Sequence, residues 1–488
     1  MRRKHRGERA EGDDSYGHVL KYTGVFGGVQ VLKILMDVVR NKLAALLLRT
    51  SGFGLNGIFM NIGEVVNSLT NFGIGFSSVQ RLSELYEDGS QEDLRLFVGV
   101  VRTWSLLSAL IGAVLCVCFS GLLDWYYFRQ TGESHTLEIV FLSLYVASLP
   151  IEAGECSILK GVRQLKKIAG VELCCAVSTF VFTIPVFWAF GLRGIVLSLV
   201  LCGWAKATLH LSVSLRLFRY RVHPFSRRVV RVGLPLITKG VPYMLAAIAG
   251  SLTTALVFGF CLAGATSEIG LYKAGYGLMV TYAGMVFVAV EADYFPRLSS
   301  VNHDVVRMNH AINQQIDVCV LLMAPLLICF VLAMPWIVRL LYSDEFLPVV
   351  TMAQCAVFYM FFKAVTTPVA YTALAKGNSL VFLAVECVYN AVFVVLLYSG
   401  YHRWGLTGAG VSLSLAALFD LLMICSLYRA LYRFRLRGST LRLVLPQGLL
   451  LLCVVLASLS GSTLLKYSAS LPCLALSLCL TWKMLRRR

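Results

Sequence analysis

Charge is scarce in this chain. Only 14% of its 488 residues are Asp, Glu, Lys or Arg, against about 25% for domains whose surface faces water. Acids are the scarcer kind, 26 Asp and Glu against 44 Lys and Arg. No polar joint exceeds about 20 residues, too few for a soluble domain with a core of its own. Paired metal or redox ligands are also missing. The fifteen cysteines include no Cys-x-x-Cys, so Cys116 with Cys118, and adjacent Cys174 and Cys175, lack the second pair of a zinc or thiol–disulfide site. They lie in apolar stretches, where cysteine is a small polarisable packing residue. The eight histidines form no His-x-x-x-His pair. The sequence therefore points to no metal, no cofactor and no catalytic constellation. The N-terminal MRRKHRGERAEGDD is charged and precedes no short apolar core with a small-residue cleavage site, so it reads as a tail and not a signal peptide.

What the chain does have is apolar length. Apolar residues make up 58% of it, and its mean hydropathy is +0.74. They come in blocks of roughly 18–27, and about 20 suffice to cross a hydrocarbon core. Lipid leaves backbone groups no water to bond, so blocks of this length are helices. We read about fourteen spans, at roughly 22–48, 55–80, 97–122, 137–159, 171–191, 195–215, 233–262, 268–295, 312–341, 349–375, 380–400, 405–428, 443–460 and 468–485. The expected fold class is an all-α polytopic membrane protein.

The net charge of +18 is distributed informatively. Alternate joints are basic, beginning with Arg2, Arg3, Lys4, Arg6 and Arg9, then Lys160, Arg163, Lys166 and Lys167. Arg216, Arg219, Arg221, Arg227, Arg228 and Arg231 follow, then Arg429, Arg433, Arg435, Arg437 and Arg442, and finally Arg486 to Arg488. The joints between hold little more than Arg49, Arg129, Arg193, Arg403 and Lys466. The positive-inside rule puts both termini in the cytoplasm, which requires an even number of spans. Spread over short loops, this charge does not form a nucleic-acid-binding face.

The chain also repeats itself. GLRGIVLSL at Gly191 returns as GLTGAGVSLSL at Gly405, offset 214, and LRLFRYR at Leu215 returns as LYRFRLR at Leu431, offset 216. RLSEL at Arg81 returns as RLSSV at Arg297, and the Lys-Gly turn at Lys160 returns at Lys376, both at offset 216. Val171-Glu172 and Val385-Glu386 follow those turns. A near-constant offset divides the chain into a tail (1–21), an N-lobe of six spans (22–218), a basic linker (219–232), a C-lobe of six spans (233–431) and two extra spans with a basic tail (432–488). Six is even, so the lobes share one orientation and should be related by an axis along the membrane normal.

Two six-helix lobes plus two helices resemble the superfamily of polysaccharide flippases, lipid II flippases and multidrug/toxin extruders. The second half is most similar to the O-antigen and capsule translocase (Wzx-type) branch. The similarity rests on Asp293-Tyr294-Phe295-Pro296-Arg297-Leu298-Ser299, Asn313-Gln314-Gln315, Pro325, Leu341-Tyr342-Ser343 with Phe346, and Ala375-Lys376-Gly377. Val39-Arg40-Asn41-Lys42 in span 1 adds to it. The resemblance, over about residues 20–430, implies a flippase in the bacterial cytoplasmic (inner) membrane. It would move an undecaprenyl-pyrophosphate-linked oligosaccharide, such as an O-antigen repeat unit of lipopolysaccharide, to the outer leaflet. It implies membrane lipids, a coupling ion (H+ or Na+) and polysaccharide polymerase machinery as partners, and gives no sugar identity.

Intramembrane charge supplies the candidate site. A lysine or arginine at the bilayer centre costs ~2.5–3.5 kcal/mol on insertion scales, so it faces a cavity or a partner. Lys33, Asp37 and Arg40 share one face of span 1, and Asn61, Glu64, Ser68 and Asn71 one stripe of span 2. Lys239, Lys273 and Lys363 lie in spans 7, 8 and 10. Guanidinium and ammonium groups suit pyrophosphate oxygens, so Arg40 and Lys363 are the leading substrate ligands, with Lys33, Lys239 and Lys273 in support. The competing reading of Lys33 is an ion pair with Asp37. Asp37, Glu64, Glu152 and Glu155 are candidates for ion coupling or pairing. Acids are few on the cationic faces, so Lys363 is expected to lack a partner. Two transport functions stay open, the flippase and an ion-coupled extruder of cationic drugs. A membrane enzyme fits less well, because the longest outer joint, about residues 123–136, offers Asp124, Glu133 and His135 but no second acidic cluster.

Overall fold

The computed structural model describes residues 4–87, 91–129, 132–222, 227–262, 265–284, 294, 297–460 and 463–486. Among the described residues there are helices and turns and no strand. The helices are α1 (Lys4–Thr70), α2 (Ile74–Glu87), α3 (Gln91–Cys118), α4 (Ser120–Phe128), α5 (Thr136–Gly161), α6 (Leu165–Phe190) and α7 (Gly194–Leu215). They continue with α8 (Arg227–Leu256), α9 (Thr266–Tyr276), α10 (Val305–Leu341), α11 (Val349–Ala375), α12 (Ser379–Tyr432), α13 (Gly438–Leu459) and α14 (Thr463–Arg486). Wider π-turns extend α8 over Val257–Cys261 and α9 over Gly277–Tyr282. Nine of the described helical segments are long and apolar enough to cross a membrane. The protein is an all-α polytopic membrane protein.

Several segments are too long for one crossing. α12 has 54 residues, about 80 Å at 1.5 Å per residue, against a hydrocarbon core of ~30 Å. It breaks at Trp404 (φ −134°) and Gly405 (φ +57°), between the two expected spans. α1 breaks at Arg49, with φ +56°. Gly191 takes φ +55° and ψ −131°, and Gly405 takes φ +57° and ψ −140°. The repeated glycines thus share one backbone conformation, in the positive-φ region that costs a side-chain-bearing residue energy.

One expectation is corrected. The span read as continuous over 55–80 stops at Thr70 and restarts at Ile74. Phe72 and Gly73 both adopt positive φ, and the Asn71 side-chain oxygen accepts the Gly73 N–H at 2.8 Å. Asparagine side chains compete with helical hydrogen bonds in this way, and apolar periodicity carries no trace of it.

Contacts divide the chain into two compact units. One comprises Met1–Leu48, Ile62–Trp125 and Ser134–Met244, and the other Arg49–Asn61, Tyr126–Glu133 and Leu245–Arg488. The first packs α2, α3 and α5 around Leu82, Leu94, Phe97, Val101 and Ile158. In the second, α10 and α11 are central, with 67% and 72% of their apolar windows buried against 22% for α12. α10 starts at Asp304, whose carboxylate accepts the N–H groups of Val306 and Arg307, as an N-cap aspartate does.

Candidate functional site

In the first unit, Lys33 of α1 does not pair with Asp37. Its Nζ lies 2.6 Å from Oε2 of Glu172 on α6. The other Glu172 oxygen is 3.9 Å from Nε2 of His210 on α7, a ring only 1% exposed. His210 Nδ1 lies 3.0 Å from the Lys206 carbonyl. A carbonyl only accepts, so Nδ1 carries a proton and Nε2 is the position that gains one toward Glu172. Asp37 instead pairs with Arg40 at 3.2 Å, and Arg40 Nη2 also donates to the Asn41 side chain. The Lys33–Asp37 pairing is therefore replaced by Lys33–Glu172 and Arg40–Asp37. An acid one helix away closes the shorter contact.

Glu155 of α5 has a different role. Arg102 of α3 donates from Nε to Oε1 at 2.8 Å and from Nη2 to Oε2 at 3.2 Å. Both side chains are nearly sealed, at 2% and 4% exposure. Arg102 further donates to Ser214 Oγ and the Arg219 carbonyl and packs against the Tyr220 ring. The pair is a satisfied structural network that fixes the end of α7. Glu152 is half-buried on α5, and Glu64 is exposed on α1.

In the second unit, Lys363 of α11 is not without a partner. Its Nζ lies 2.7 Å from Oδ2 of Asp420 on α12. The Lys363 side chain keeps 24% of its surface exposed, Asp420 only 5%. The ammonium also sits 4.7 Å from the Tyr389 ring centroid and 5.9 Å from that of Tyr359, within cation–π range. Glu386 lies one turn before Asn390 on α12, and Asn390 Nδ2 donates to it at 3.5 Å. The expectation of an unpaired lysine fails because Asp420 comes from another helix, where only its depth in an apolar span could have marked it. Lys273 of α9 lies 5.3 Å from the Phe53 ring centroid and 3.6 Å from Met60 Sδ. Phe53 packs edge-on against Tyr342 and Phe346. The side chain of Lys239, and Asp293, Phe295 and Pro296 of the resemblance motif, lie outside the described residues. Among the described residues no cluster of three or more His, Cys, Asp or Glu could hold a metal ion.

Paired, partly exposed cations thus lie among helices long and apolar enough to cross a membrane. The fold is similar to that of the lipid II flippase MurJ in an inward closed conformation, with TM-score 0.66 and 15% identity over 94% of this chain and 99% of that one. It is similar to an inward-facing multidrug resistance MATE family transporter of the MOP superfamily, with TM-score 0.66 and 13% identity over 82% of this chain and 96% of that one. A MOP superfamily transporter from Pyrococcus furiosus is similar at TM-score 0.56 and 14% identity, over 84% and 94% of the two chains. At such identities the likeness is one of fold. No curated protein matches by sequence. The family described as polysaccharide biosynthesis protein matches residues 43–351, more than half of the chain, and the chain belongs to it.

Proposed function

We propose that this protein translocates an undecaprenyl-pyrophosphate-linked oligosaccharide from the inner to the outer leaflet of a bacterial cytoplasmic membrane by alternating access. The termini lie in the cytoplasm, and two six-helix lobes, 22–218 and 233–431, rock about the cargo. Arg40 and Lys363 lead in binding its pyrophosphate, with Lys33, Lys239 and Lys273 in support. Family membership supports a role in polysaccharide biosynthesis, and the MurJ-like fold supports a lipid-linked cargo. The observation that carries the reading is Lys363, a mid-span cation that keeps 24% of its surface open while its counter-ion Asp420 is 95% covered.

The chemistry is an exchange of partners. In the empty protein the ammonium is neutralised by Asp420. Pyrophosphate carries more charge and more acceptor oxygens than one carboxylate, so it draws the ammonium to itself. Asp420 then remains buried without its cation, a cost that favours re-forming the pair once the cargo leaves. The alternative is an ion-coupled extruder of cationic drugs, which the surplus of carboxylate at Asp420 and Glu386 favours. Polysaccharide export in a strain lacking its own translocase separates the two, with membrane protein level as control. Lys363→Arg should retain most export, Lys363→Ala little and Lys363→Glu least. Normal export by Lys363→Glu at equal protein level removes Lys363 from the cargo path.

A further inference from the structure

The basic joints do more than orient the chain. α12 ends at Tyr432, and Arg433 takes the left-handed conformation, φ +56°. The chain then runs without helix to α13 at Gly438. Two asparagines one turn apart on α10 hold this stretch. Asn309 Nδ2 donates to the Arg433 carbonyl at 3.1 Å, and Asn309 Oδ1 accepts the Arg435 N–H at 2.9 Å. Asn313 repeats the pattern, donating to the Arg435 carbonyl at 3.0 Å and accepting the Arg437 N–H at 2.8 Å. Residues four apart on a helix rise about 6 Å, and residues two apart on extended chain advance about 6.8 Å. Each primary amide can therefore stand in for one peptide of a neighbouring strand.

The consequence is a fixed alternation. Phe434 is only 2% exposed, and Arg433, Arg435 and Arg437 are exposed on the opposite edge. None of the three has a carboxylate within ion-pairing distance among the described residues; Arg437 meets His310 Nδ1 at 2.8 Å. The nearby Asp304 is engaged by Arg307 and by the α10 N-terminus. The first half carries a counterpart. At offset 216, Arg219 corresponds to Arg435, and its carbonyl is likewise held by a side chain, Arg102 Nη1 at 3.0 Å. The joint between α12 and α13 connects two apolar spans.

We infer that Arg433, Arg435 and Arg437 form a pre-organised receiving site for the pyrophosphate head of a polyprenyl lipid, separate from the intramembrane cations and resting on the lipid-pyrophosphate reading above. Three guanidiniums on one edge, without carboxylate partners among the described residues, suit a headgroup of more than one charge. A monoanionic phospholipid would engage only one of them.

The test is binding, measured on the full chain in nanodiscs with geranylgeranyl pyrophosphate, geranylgeranyl monophosphate, phosphatidylglycerol and inorganic pyrophosphate as probes. Geranylgeranyl pyrophosphate should bind most tightly. Its affinity should fall about tenfold in R433Q/R435Q/R437Q, which changes exposed side chains only. It should also fall in N309A, which removes no charge but frees the segment, while R193Q, which removes an exposed arginine from another joint, keeps this binding. Wild-type affinity in either the arginine or the Asn309 variant overturns the proposal, as does equal binding of monophosphate or phosphatidylglycerol. Loss of all binding in K363A alone also overturns it and leaves the Lys363 reading standing. If no variant changes binding, both readings fall. Binding of inorganic pyrophosphate as tight as that of the lipid removes the lipid from the site.

Discussion

The Lys363 ammonium and the Asp420 carboxylate meet at 2.7 Å between α11 and α12, and the acid is the more deeply buried partner. Removing either one leaves the other charge buried without compensation, which costs about 3 kcal/mol or more. Lys363→Ala should therefore lower thermal stability. Lys363→Met with Asp420→Leu should recover stability, because two apolar side chains can replace a buried pair at little cost. Export should stay lost in the double variant. Thermal unfolding in detergent, set beside export, makes the comparison. Recovery of both together would mean that the pair is structural only.

The topology gives a second expectation. Joints near Lys166, Arg227 and Arg435 carry most of the positive charge, and those near Glu133 and Arg403 carry little of it. Single cysteines or reporter fusions should place the first three in the cytoplasm and the last two outside. An external Arg227 would break the even span count, and with it the repeat.

How legible was this molecule in its sequence? The spans were, because apolar length is a local property: the span expected at 349–375 is helix α11, Val349–Ala375. The break between α1 and α2 was hidden, since Asn71 and Gly73 make it with one side-chain hydrogen bond that no hydropathy window registers. The cations Lys33 and Lys363 stand out for their depth in apolar runs. Their partners Glu172 and Asp420 lie 139 and 57 residues away, and only the packing of helices brings them together. The role of Arg102 is hidden for the same reason. The residue lies in an apolar span, but its role depends on Glu155, Ser214 and Arg219 converging from three places.

Asp124 gives a pH expectation outside the membrane. Partial burial pushes its carboxyl up, but hydrogen bonds from the His135 N–H and the Thr136 and Ser134 hydroxyls outweigh that and hold it below the usual carboxylate range. A group depressed in the folded state stabilises it above the unfolded pKa, and the contribution fades as pH falls through the folded value. The turn joining α4 to α5 should therefore loosen in acid. Hydrogen exchange over residues 123–136 should quicken as pH drops below the carboxylate range, after correction for intrinsic rates. Asp124→Asn should exchange faster at neutral pH and lose most of the pH response. An unchanged response in that variant would assign the effect to His135 or Glu138, which face each other at 3.6 Å.

The Arg102–Glu155 pair should behave unlike Lys363–Asp420, and the contrast separates scaffold from transport path. Both side chains are sealed, at 2% and 4% exposure. Three of the guanidinium's partners besides Glu155 are fixed parts of the first unit: Ser214, the Arg219 carbonyl and the Tyr220 ring. Neither group has an open face on which to meet a cargo or exchange an ion. Glu155→Ala leaves a buried guanidinium with half its hydrogen bonds and should cost about 3–5 kcal/mol. Glu155→Gln keeps the shape and one acceptor oxygen, so it should cost less. Export should follow protein level in both variants, so that activity per molecule stays near wild type. For Lys363 variants, activity per molecule should fall. Membrane protein level by immunoblot, with export normalised to it, provides the measurement. A Glu155→Gln protein at normal level with export lost would move this carboxylate from scaffold to coupling, and the exposure argument would have misassigned it.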